Sequence, residues 1–154
     1  MLEARIRARL GTAPQALPDG GVAALHNAAA CYETAWLVLD AKGSREEGAE
    51  VQMNLGLVLQ SLAGHGAARI TDAVQSFEEV LKVINLVDHP TEYAMIQNNL
   101  ANALQYATSG HPLENNRRAL SAYDEALKVR NERDTLIEYA NTLTSIVASP
   151  TRAK

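Results

Sequence analysis

The chain has 154 residues, of which 47% are hydrophobic and 21% charged, enough for one domain that buries roughly two-thirds of its unfolded surface. Fourteen basic against eighteen acidic side chains give a net charge of -4, which argues against nucleic acid as a partner. A single cysteine, Cys31, excludes an internal disulfide, and no apolar run approaches the ~20 residues of a membrane span.

Seven helices are expected along the chain. The first, near 2–12, carries Arg5, Arg7 and Arg9 with no apolar stretch behind them, so it does not read as a secretory signal. Turn residues from Pro14 to Gly21 close it. The second, near 22–41, places Ala28, Tyr32, Ala35 and Leu39 at steps of four, three and four, a single apolar stripe. Gly43–Ser44 ends it and a third helix follows near 46–63, with Gly64, His65 and Gly66 beyond. A fourth, near 70–86, repeats the stripe as Ala73, Phe77, Val80 and Ile84. Asp88–His89–Pro90 separates it from a fifth near 92–108. After Ser109 to Pro112, a sixth helix near 114–131 carries Ala119, Tyr123 and Ala126. The seventh spans 134–148 and leaves a short tail, 149–154.

These elements repeat. Leu10, Leu55, Leu100 and Ile146 are spaced by 45, 45 and 46 residues, and Gly11 and Gly56 follow the first two. The second-helix stripes repeat at the same interval, and so does the distance from first to second helix. Three columns agreeing within one residue establish a repeat of stacked helical hairpins, each too small to bury its apolar face alone.

The segments Asn54-Leu55-Gly56 and Asn99-Leu100-Ala101, with Ala73/Phe77/Val80 and Ala119/Tyr123/Ala126, resemble the tetratricopeptide repeat in a form lengthened to about 45 residues. The resemblance is strongest over 46–131. It implies an all-α, tetratricopeptide-like helical-hairpin solenoid. Its single domain, 1–148, would comprise repeats near 2–41, 46–86 and 92–131 and the terminal helix 134–148. It also implies a concave face, lined by the first helix of each hairpin, that binds a partner protein or peptide. Carried onto this sequence, that face holds Met53, Leu57, Gln60, Asn98, Asn102 and Gln105, with Arg5, Thr12 and Thr144 extending the row. The amides offer donors and acceptors to an extended peptide. The alternative reading has Asn98 and its neighbour Asn99 tying adjacent repeats together.

Chemistry-bearing patterns are sparse. No Walker loop, G-x-S-x-G, H-E-x-x-H or C-x-x-C occurs. His65 and His111, 46 apart, each follow a glycine; without a third ligand at fixed spacing they read as helix caps, not a metal site. Cys31 reads as a core thiol and Trp36 as a packed side chain. The terminal helix carries Leu136, Ile137, Ala140, Leu143 and Val147 on one side and Tyr139 and Ile146 towards another, wider than a terminal cap needs. A second copy of the chain, covering Tyr139, Leu143 and Ile146, or a partner is expected there. The expectation is therefore a cytoplasmic, non-catalytic interaction module without cofactor or metal. A self-associating subunit is the first rival, and an enzyme or sensor on a helical frame the second.

Overall fold

The computed structural model describes residues 21–66, 68–107, 111–131 and 133–148. The expected helix 2–12 and tail 149–154 lie outside them. Among the described residues there are six α-helices and no strand: α1 Val22–Ala41, α2 Arg45–Gly64, α3 Ile70–Val80, α4 Pro90–Tyr106, α5 Pro112–Leu127 and α6 Leu136–Val147. They gather in two compact units, Met1–Val83 and Ile84–Lys154.

In the first unit α2 packs against both α1 and α3. The stripes read from the sequence are the ones buried. Ala28, Tyr32, Ala35 and Leu39 of α1 meet Val51, Leu55, Val58 and Leu62 of α2, and Ala73, Phe77 and Val80 are buried on α3. Each large apolar side chain withdrawn from water stabilises the unit by about 1.5–3 kcal/mol. The closest approach is at Gly56, where an added Cβ would stand 2.7 Å from Cε1 of Phe77. Glycine is required there because Phe77 is itself fully buried.

In the second unit α4 packs closely on α5, and α6 on α5 more sparsely. Ile96, Leu100, Ala101 and Leu104 are buried on α4, and Ala119, Ala122, Tyr123 and Ala126 on α5. On α6 only Thr142 and Ile146 are buried. Leu55, Leu100 and Ile146, the anchoring column of the repeat, are therefore all interior.

Two second helices end earlier than their apolar period suggests. The sequence places 70–86 and 114–131 in helix; α3 stops at Val80 and α5 at Leu127. Beyond each end, Val83 N–H bonds Val80 and Val129 N–H bonds Ala126, a tightening to three-residue turns. An asparagine then captures the chain. The side-chain oxygen of Asn85 accepts from the N–H of Val87 and Asp88, both at 3.0 Å. Asn131, 46 residues on, accepts from Arg133 and Asp134. Asparagine offers the backbone this alternative to the helix. At the other end, α4 and α5 begin on Pro90 and Pro112, whose fixed φ suits a first helical turn.

Gly48 and Gly56, both inside α2, should respond oppositely to alanine. At Gly48 an added Cβ meets nothing within 4 Å, so Gly48→Ala should raise stability by roughly 0.5–1 kcal/mol through helix propensity. Gly56→Ala drives a methyl into Phe77, and overpacking should outweigh that gain, for a net loss of about 1 kcal/mol. Urea denaturation of the two variants checks the sign of each.

Candidate functional site

Asn98, Asn102 and Gln105 step by four and three along α4 and so share one face. Tyr123 reaches that face from α5. Its hydroxyl donates to Oδ1 of Asn102 at 2.6 Å and accepts from Nε2 of Gln105 at 2.6 Å. The Gln105 amide also lies 3.2 Å from the carbonyl of Ser145 on α6. A second knot ties α6 in place. Arg130 donates from Nη1 to Oγ1 of Thr142 at 2.8 Å. That hydroxyl lies 3.1 Å from Oδ1 of Asn98 and 2.9 Å from the carbonyl of Glu138, donating to one of the two.

Burial sets the electrostatics of this network. The Tyr123 phenol is pushed up to about 12, because desolvation outweighs the hydrogen bonds of Ser145 and Gln105 that favour its ionised form. Desolvation also lowers the Arg130 guanidinium, against the pull of Glu138. Both groups nonetheless keep their neutral-pH protonation states, phenol and guanidinium. The three α4 amides expected to face a partner thus carry bonds within their own unit. Met53, Leu57 and Gln60 lie half-buried on α2.

The members of this network that sequence reasoning passed over, Arg130 and Thr142, had a signal. Leu39, Ile84 and Arg130 form one repeat column, and Val51, Ile96 and Thr142 another, each pair 12 residues apart. Both columns turn from apolar to polar at the same copy.

The outer face of α6 carries four of the large apolar side chains exposed among the described residues. Leu136 is 58% exposed, Ile137 73%, Leu143 38% and Val147 68%. Of the residues expected in a self-contact, Tyr139 is half-buried and Leu143 exposed, whereas Ile146 is buried inside its own unit. Ile146 is the counterpart of Leu100 and packs like it, so it drops out of the patch. Subtracting 46 maps Ala140, Leu143 and Val147 onto Ala94, Gln97 and Ala101, all buried on α4. Subtracting 91 maps Val147 onto Gly56, the contact point of Phe77. The exposed stripe is the one that α2 and α4 use to receive a second helix.

The histidines differ in role despite their spacing. His65 caps the C-terminus of α2, before Gly66 at φ +69. His111 precedes Pro112 at the N-terminus of α5. Among the described residues no three His, Cys, Asp or Glu side chains cluster to hold a metal ion. Cys31 is half-buried on α1. No described helix is long and apolar enough to cross a membrane.

The network makes two predictions. The proton on Tyr123 is held more tightly in the fold than at its ordinary value of 10.0. Its stabilising contribution is therefore complete below pH 10 and is lost as pH rises to about 12. Unfolding midpoints measured across that window should fall steeply in the wild type and less steeply in Tyr123→Phe. Thr142→Val keeps the shape but leaves Arg130 without its acceptor, and should cost about 1–3 kcal/mol in denaturant titrations.

Compared with protein-family models, with curated proteins and with solved structures, the chain finds no match.

Proposed function

We propose that the chain is a non-catalytic interaction module of tetratricopeptide-like hairpins that receives a helix of a partner protein on α6. The observation that carries this reading is the exposed stripe Leu136, Ile137, Ala140, Leu143 and Val147. The α4 counterparts of Ala140, Leu143 and Val147 (Ala94, Gln97 and Ala101) are buried, and the α2 counterpart of Val147, Gly56, lies under a second helix. A first-helix stripe left exposed where its counterparts receive a second helix suits an amphipathic helix.

Val147 stands where Gly56 accepts Phe77, so the incoming helix approaches less closely and presents aliphatic side chains instead of an aromatic ring. Covering four such side chains offers on the order of 6 kcal/mol, while association costs an estimated 4–15 kcal/mol. The partner must therefore contribute contacts beyond this stripe. The lone thiol of Cys31 suits a reducing, cytoplasmic setting.

A second reading, self-association through α6, is favoured by one feature. No charged side chain interrupts the stripe, so two copies lie against each other without like charges.

Leu143→Glu with Val147→Glu tests both. These positions are exposed, so the unfolding midpoint should move by less than about 0.5 kcal/mol. Affinity capture should lose specific proteins held by the wild type. Light scattering separates the readings: a mass of 16.6 kDa fits a chain awaiting a partner, and twice that mass, collapsing in the double variant, fits self-association. Capture and mass both unchanged by the double variant would contradict this function for α6.

A further inference from the structure

The hairpins α2–α3 and α4–α5 are copies that differ at one informative position. Gly48, Gln52, Glu79, Lys82 and Val83 stand 45 or 46 residues before Tyr93, Gln97, Glu125, Lys128 and Val129. Four of the five pairs are identical; Gly48 and Tyr93 are not. In the second unit the Tyr93 hydroxyl donates to Oε2 of Glu125 at 3.0 Å. Lys128 holds the same carboxylate. In the first unit Glu79 and Lys82 form the equivalent pair at 2.6 Å, and no ring reaches them from α2.

The space stays open. A cavity of about 190 Å³ occupies this region of the first unit, lined among others by Trp36, Asp40, Gly48, Gln52, Glu79 and Lys82. A Cβ built on Gly48 meets nothing within 4 Å, and its backbone lies in the ordinary helical region. The side-chain oxygen of Gln52, on the wall of this cavity, is buried without a partner. The size is discriminating. A cavity of ~150 Å³ takes one benzene ring, while drug-sized ligands need ~300 Å³ or more.

We infer that this cavity is a binding site for a phenol group, seated as Tyr93 is seated in the second unit. The ring lies beside the Trp36 indole, a favourable aromatic pairing. The hydroxyl donates to Glu79, which Lys82 keeps available as a charged acceptor. A tyrosine side chain of a peptide and a free small phenol share this chemistry. The site stands independently of α6 and its partner.

Trp36 is the only tryptophan, so its indole N–H resonance reports on the cavity directly. Titration with p-cresol should shift that resonance saturably, and toluene, which lacks the hydroxyl, should bind at least about tenfold more weakly. Glu79→Leu should weaken p-cresol to a similar degree. Gly48→Tyr should fill the site from within, abolishing the p-cresol response while raising the melting temperature. The source is read from N-acetyl-tyrosinamide and a short tyrosine-containing peptide: tighter binding than p-cresol identifies a tyrosine side chain, weaker binding a free phenol. The inference is overturned if p-cresol gives no saturable shift, if toluene binds equally well, or if Gly48→Tyr still responds with wild-type affinity.

Discussion

Wholly buried aromatic rings organise both units, Tyr32 on α1 and Phe77 on α3 in the first and Tyr123 on α5 in the second. A ring in that place dictates what its neighbours are. Phe77 needs only space, and Gly56 supplies it by having no side chain. Tyr123 adds a hydroxyl that burial leaves costly unless it is bonded. In that copy Leu57 of the first unit is replaced by Asn102, which accepts the phenolic proton, and Gln105 donates to the same oxygen. Apolar ring with leucine, hydroxylated ring with asparagine: the copies change together.

The polar solution spreads from Tyr123 to the last helix. Gln105 links the phenol to the α6 backbone, and Thr142 joins Asn98, Arg130 and α6 into one network. Since α6 is seated largely by these bonds and by Ile146, its remaining apolar residues are not needed inside. They face outwards instead. The same exchange of apolar for polar contacts that docks α6 thereby leaves the surface on which the proposed interaction rests.

The helices and their buried stripes were legible in the sequence because the apolar period is also the geometric period of a helix. Ala28, Tyr32 and Ala35, or Ala73, Phe77 and Val80, fall inside as their spacing says. Helix ends were not legible that way. Ile84 continues the stripe in number yet is buried from a turn, since Asn85 bends the backbone one residue later. The polar face of α4 was legible as a face but not as a network. Periodicity locates residues off the packing stripe and is silent on a tyrosine 21 positions away that consumes Asn102. Ile146 is expected in a self-contact of α6, yet it is buried, and its own column with Leu55 and Leu100 marks it as interior. The cavity beside Gly48 is legible only when two copies are set side by side and the missing Tyr93 counterpart is noticed.

Corresponding columns of the two units obey the same packing rules. A double-mutant cycle on the first unit tests this most directly, with Phe77→Tyr and Leu57→Asn made singly and together. Each single change should destabilise, the first by burying an unpaired hydroxyl and the second by removing apolar contact. Together they should recreate the Tyr123–Asn102 bond, and the double variant should be more stable than the sum of the singles by about 0.5–3 kcal/mol. Strictly additive losses would contradict the account, because the two positions would then not face each other as their counterparts do.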